Sequence, residues 1–256
     1  MTQAEDEARR IFGERAAFYT TSAAHTDPEV LARVVSLAAS RPEWIVLDIA
    51  TGTGHTAFAL AGHVQMVVGT DLTPQMLREA KTLRATKGFV NVAFALADVH
   101  RLPFPSATFH LITCRRAAHH FSRIQQALGE MGRVLRAGGR LVIDDRSVPE
   151  DDFVDTCMNR LDRYHDPSHV RQYRPSEWQR LLEGQGFSVE AIEPYTKHRP
   201  LTSFTGKASP EGVRGIQATV AGLSPAQREA LNLREVDGEP FLNHWYCTLA
   251  AHIAKV

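Results

Sequence analysis

The chain has 256 residues, 43% of them apolar, which supports one large domain with its own core and argues against a disordered tract. Its 29 basic and 29 acidic side chains cancel, so no overall positive field is available to hold nucleic acid. Cys114, Cys157 and Cys247 stand far apart without a C-x-x-C pair, which points to structural thiols in a reducing compartment.

The acidic start Met1 to Glu7 runs into no long apolar stretch, so neither a signal peptide nor a membrane helix is expected, and the location expected is cytoplasmic. Helical patterning covers Glu5 to Phe18 and Pro28 to Ala39, the second with Asp27 as N-cap and Pro28 at its first position. Between them lies a polar segment holding Tyr19 and His25. Trp44 to Ala57 then reads as a buried strand, a glycine turn and a helix start. Ile45, Val46 and Leu47 form the short apolar run of a strand covered on both faces, and Asp48 falls at its end. Thr51, Gly52, Thr53 and Gly54 can bring bare backbone close to a ligand, with the free N–H groups of the next helix, His55 to Ala61, aimed at it.

The second strand, Met66 to Gly69, ends at Asp71, where an acid can accept hydrogen bonds from ribose hydroxyls. Two cofactors remain open at this point, because Gly52 to Ala57 also satisfies the relaxed dinucleotide fingerprint G-x-G-x-x-A. Asp48 would repel a pyrophosphate and favours S-adenosylmethionine, whose methionine end carries an ammonium and a sulfonium. After Asp71, Thr73 is the expected cap of a helix beginning at Pro74, with Met76, Leu77 and Ala80 on its apolar face. A third strand, Asn91 to Leu96, leads to Asp98, and a fourth, Phe109 to Cys114, leads to Arg115 to His120, the place where open α/β sheets bind ligands. Gln125 to Leu135 is expected as a helix closed by Gly138 and Gly139, and Leu141 to Ile143 as a fifth strand with Asp144 and Asp145 at its carboxyl end. Strands alternating with helices imply a doubly wound parallel sheet. Beyond Val148 the pattern turns polar and helical (Glu150 to His165, Pro167 to Arg174, Ser176 to Glu183), followed by a sixth strand at Phe187 to Ile192 and a last one within Phe241 to Ile253.

Val46 to Gly54 resembles motif I of the class I S-adenosylmethionine-dependent methyltransferases, commonly D-x-G-x-G-x-G, with Ala50 where the first glycine usually stands. Val68 to Met76, Ala97 to Pro105, Phe109 to Thr113 and Arg133 to Leu141 match the later motifs in family order. Within the family the chain is most similar to the ubiquinone and menaquinone C-methyltransferase-like (type 11) branch, through Cys114 to Phe121 and Asp166 to Arg171. The resemblance implies a Rossmann-like class I methyltransferase fold: a seven-stranded, mostly parallel sheet with an antiparallel last strand, helices on both faces and a helical cap. It implies a cap over 1–40, a cofactor-binding core over 41–196 with a lid at 150–174, and a helical insertion plus closing strand over 197–256, all in one compact domain. The cofactor would be held by Asp48, Ala50, Thr51, Gly52, Thr53, Gly54, Asp71, Leu72, Met76, Asp98, Val99 and Arg115. At Ala50 the turn is expected to keep a negative φ.

The reaction implied is transfer of a methyl group to an O, N or C nucleophile of a small molecule. Histidine suits a general base near neutral pH, and His120 with its neighbour His119 stands beside the expected path of the methyl. Tyr19, His25, Arg116, Asp145, His165 and His169 are candidate acceptor contacts. No metal is expected, since adjacent His119 and His120 would point to opposite faces of an extended backbone and no H-E-x-x-H spacing occurs. A small-molecule acceptor is the expected partner, without nucleic acid or membrane insertion, and a homodimer is allowed for. The alternatives are an NAD(P)-dependent oxidoreductase on the same sheet, and a protein that binds S-adenosylmethionine but catalyses something other than methylation.

Overall fold

The computed structural model describes residues 3–253. Three N-terminal helices, α1 (Gln3–Tyr19), α2 (Ala23–Thr26) and α3 (Pro28–Ala38), precede the first strand, β1 (Ile45–Ile49). The alternation then runs α4 (His55–Ala61), β2 (Met66–Asp71), α5 (Pro74–Lys87), β3 (Val92–Leu96), β4 (Phe109–Arg115), a 3₁₀ turn at Ala118–His120, α6 (Ile124–Val134) and β5 (Leu135–Ser147). The remainder is α7 (Asp152–His165), α8 (Pro175–Glu183), β6 (Phe187–Pro200), α9 (Thr202–Thr205), α10 (Pro210–Ala221), α11 (Pro225–Ala230), β7 (Arg234–Val236) and β8 (Glu239–Ile253).

The sheet order is β3-β2-β1-β4-β5-β8-β6, parallel from β3 to β5, with β8 antiparallel to both its neighbours. The expected seven strands are all present, and short β7 adds an eighth by pairing with β8. Alternating residues of each central strand feed the two sheet faces. Leu47, Ile112, Leu141 and Ile143 pack with Leu128 and Met131 of α6 and Trp178 of α8 on one face. Val46, Val67, Leu111 and Val142 pack with Val34 of α3 and Ala57 and Leu60 of α4 on the other. Each such side chain contributes about 1.5–3 kcal/mol of burial, enough in sum to fix the strand ends where a ligand can be held.

Several local expectations change. Asp27 caps α3 as expected, accepting from Glu29 N and Val30 N. Thr73 makes no side-chain cap on α5; Asp71 Oδ1 accepts Thr73 N at 2.8 Å instead, because the carboxylate reaches the first free amide sooner. The helix expected to end at Leu135 stops at Val134, and β5 begins there, so Gly138 and Gly139 lie within the strand. Asp144 and Asp145 are likewise interior to β5, which continues to Ser147 because β8 pairs alongside it. β6 extends to Pro200, across the expected boundary at 196/197, and α3 packs on the sheet rather than over it. A third core joins α7 to α9, α10 and β8 through Met158, Leu161, Phe204 and Ile216. No helix among the described residues is long and apolar enough to cross a membrane.

Candidate active site

A cleft opens at the carboxyl ends of β1, β2 and β4, beside the point where successive strands depart in opposite directions. It is lined by Asp48, Ala50, Thr51, Gly52, Thr53, Asp71, Leu72, Met76, Asp98, Val99 and Arg115, all expected for the cofactor. Gly54 is set back from it. A Cβ there would come within 2.9 Å of Phe58, so this glycine (φ 92) permits close packing of turn on helix rather than ligand contact. Gly52 (φ 54) is the opposite case, since a Cβ would meet nothing within 4 Å and would project into free space. Ala50 adopts φ 49, contrary to expectation. The turn needs a left-handed residue where Thr51 N reaches back to Thr70 O at 2.8 Å, and alanine accepts roughly 1–2 kcal/mol of strain to supply it.

The acids of the cleft differ in their surroundings. Asp48 is buried, accepts Thr51 Oγ1 at 2.5 Å and Thr113 Oγ1 at 2.6 Å, and burial raises its pKa to about 6 against the pull of those hydroxyls and Arg115. Asp71 takes Gly52 N on Oδ2 and Thr73 N on Oδ1, which locks its carboxylate plane at the end of β2. Asp98 receives both the amide and the ring Nδ1 of His100 on Oδ1, leaving Oδ2 out of that pair of bonds. Arg115 donates from Nε to Thr56 Oγ1 at 2.9 Å and from Nη2 to His25 O at 2.7 Å, while Nη1 is buried without a partner. A buried guanidinium nitrogen with no acceptor calls for an anionic group in the cleft, such as the carboxylate of a methionine. Within the N-terminal segment expected as a cap, Glu5, Ala8 and Phe12 of α1 line the cleft, three residues that the sequence did not single out. Glu5 fastens that helix through Ser122 Oγ at 2.7 Å and Arg123 Nη2 at 3.2 Å. Glu5, Asp98 and His100 also form a group with metal-ligand spacing among the described residues, in which His100 Nδ1 lies 2.7 Å from Asp98 Oδ1 and 3.3 Å from Glu5 Oε1.

A second cavity adjoins the first, and Phe12, Tyr19, His25, Arg116 and His120 line both. His119, His165 and His169 open onto the second alone. Asp145 does not reach it. Its Oδ1 lies 2.5 Å from His119 Nδ1 and its Oδ2 accepts His119 N, so it orients that imidazole from behind. Burial pushes His119 well below the ordinary imidazole range and Asp145 up to about 6. The expectation that His119 and His120 point apart fails because they sit in a 3₁₀ turn, not extended chain, with ring centroids 4.0 Å apart. His120 Nδ1 faces Ser168 O at 3.1 Å and Ser168 Oγ at 3.0 Å, and that hydroxyl donates to Asp166 Oδ1 at 2.7 Å. Burial opposes ionisation of Asp166, but His120 and Ser168 outweigh it and hold the acid below the usual range. The Ser168 carbonyl can only accept, and the hydroxyl is committed as a donor to Asp166, so His120 Nδ1 is the donor to both. Arg116 is spoken for: Nε donates to Asp144 Oδ1 at 2.9 Å, Nη2 to Tyr195 Oη, and the guanidinium lies over the Tyr246 ring.

The parallel winding, the antiparallel closing pair and the acids after β1, β2 and β3 around one cleft define a class I methyltransferase architecture. Residues 41–186 match the methyltransferase domain family, to which the chain belongs. It is 39% identical over 184 residues to the uncharacterized methyltransferase YcgJ of Bacillus subtilis (strain 168), covering 72% of this chain and 73% of that protein. The crystal structure of YcgJ superposes with a TM-score of 0.83 and 32% identity, over 88% of this chain and 98% of that one. A putative methyltransferase from Bacillus halodurans C-125 gives the same TM-score at 30% identity and the same coverage. A demethylmenaquinone methyltransferase of Deinococcus radiodurans is 43% identical over 100 residues, which are 38% of this chain and 41% of that enzyme.

Proposed function

We propose that the protein is an S-adenosylmethionine-dependent methyltransferase acting on a small-molecule acceptor, with the cofactor in the first cavity and the acceptor in the second. The observation that carries this reading is the shared wall: the cleft lined by the motif residues meets a separate cavity at His120, Tyr19 and Arg116. Asp71 would take the ribose hydroxyls, Asp98 the adenine edge, Asp48 the ammonium and Arg115 Nη1 the carboxylate. When bound, the cofactor supplies an electrophilic methyl on sulfur, whose C–S electron pair returns to sulfur as the acceptor's lone pair bonds the carbon. The chain's own work is alignment and water exclusion by the α1 roof, which in comparable reactions account for roughly 7–11 kcal/mol of barrier. His120 Nε2 receives the acceptor's proton where the nucleophile carries one, and His119, steadied by Asp145, stands next to it.

The test is calorimetric titration with S-adenosylhomocysteine. Wild type should bind, and Asp71→Ala should bind about 1.5–3 kcal/mol more weakly, the worth of hydrogen bonds to a charged group. Equal affinity in the two proteins would remove Asp71 from the ribose site, and absence of binding in wild type would sink the reading.

A further inference from the structure

The charges of the second cavity are not balanced. Arg15, Arg116, Arg146, Arg199 and Lys207 line it against only Asp162 and Asp166. Arg116 is neutralised by Asp144, and Arg146 by Asp162 at 3.0 Å. Arg15, Arg199 and Lys207 have no ion pair among the described residues, and the Nε atoms of Arg146 and Arg199 are buried without an acceptor. These cations arrive from three separate elements: Arg15 from α1, Arg199 from the end of β6, and Lys207 from the turn after α9. Phe12, Phe18, Tyr19 and Tyr246 bring aromatic rings to the same wall, alongside its histidines. Cations gathered around one cavity without counter-charge repel one another, and they persist where a ligand completes them. Burial, and after it the charge of Arg15, bring the Lys207 pKa down to about 8, and its ammonium lies over the Phe18 ring.

Resting on the methyltransferase reading, we propose that the acceptor carries a carboxylate or phosphate group, held by Arg199, Lys207 and Arg15, on a ring-bearing body that places its nucleophilic atom at His120. Arg146 Nε supplies a further donor, because its Nη2 is already committed to Asp162 and to His244 Nδ1. An uncharged acceptor of the same shape would leave those donors unmatched, and that difference is what the site selects on.

The test uses the full chain saturated with S-adenosylhomocysteine and titrated with benzoate, 4-hydroxybenzoate and phenyl phosphate, each against an uncharged counterpart (methyl benzoate, methyl 4-hydroxybenzoate and phenol). At least one anion should bind roughly tenfold tighter than its counterpart, and the margin should shrink at high salt. In Arg199→Gln/Lys207→Gln it should fall to about twofold, while S-adenosylhomocysteine still binds as in wild type and reports a folded cofactor site. If the double variant loses the cofactor, Lys207→Gln alone replaces it, at a partly exposed position. Parity across every pair in wild type, or a margin that survives the substitutions, overturns the inference. Failure of wild type to bind S-adenosylhomocysteine strikes the methyltransferase reading instead, so the two failures are separable.

Discussion

Asp48 is a buried acid, and in the proposed site the ammonium of the cofactor would lie against it. Burial holds it near pKa 6, so below that value it is largely protonated, and a bound ammonium favours the carboxylate and drives the proton off. Binding that releases a proton tightens as pH rises. Affinity for S-adenosylhomocysteine should therefore increase about tenfold between about pH 5 and 7, with Asp71, also raised by burial, acting in the same direction. Calorimetry giving a flat or falling affinity over that range would contradict the placement of the methionine end, and Asp48→Asn should flatten the dependence. His120 carries the second prediction at this scale. Its Nδ1 proton is fixed by Ser168, so His120→Ala should leave fold and cofactor affinity intact while slowing labelled methyl transfer to a neutral hydroxyl or amine by about 10²-fold. Unchanged turnover would return His120 to a packing role against Phe12, whose ring meets it edge-on at 5.0 Å.

Among the elements, α1 and α7 have distinct attachments. α1 roofs the cofactor cleft with Glu5 and Phe12 and packs on α5 and the 3₁₀ turn. α7 is anchored in its own core with α10, whereas the loop after it donates Val170 N and Arg171 N to His119 O. Hydrogen exchange should consequently slow in α1 when S-adenosylhomocysteine binds, with the amides of α7 changing far less. Unaltered exchange in α1 would show that the helix does not close over the ligand. The sequence made the cofactor half of this arrangement legible, because each contact follows a strand end within one contiguous motif, as at Asp48, Asp71 and Asp98. Of the residues named for the acceptor, Tyr19, His25, Arg116, His165 and His169 line the second cavity, but its further cations were not legible. Arg15, Arg146, Arg199 and Lys207 share no spacing and meet only because β6 and β8 run long and carry the insertion back over the sheet. His119 and His120 were legible as residues but not in orientation, which a single 3₁₀ turn decides.

For the molecule as a whole, the parallel half of the sheet would be the cofactor platform, and the N-terminal helix, the segment after β5 and the insertion after β6 would wall the proposed acceptor chamber. The two cavities share Phe12, Tyr19, His25, Arg116 and His120, so a methyl group would have to face that shared wall to cross from one to the other. The measurement that bears on this most directly is a crystal structure of the chain with S-adenosylhomocysteine. The ribose should lie at Asp71, the carboxylate at Arg115 Nη1, and the sulfur should turn toward His120 and the second cavity. Density in the second cavity instead, or a ligand in the first with its sulfur turned away from the shared wall, would contradict that placement.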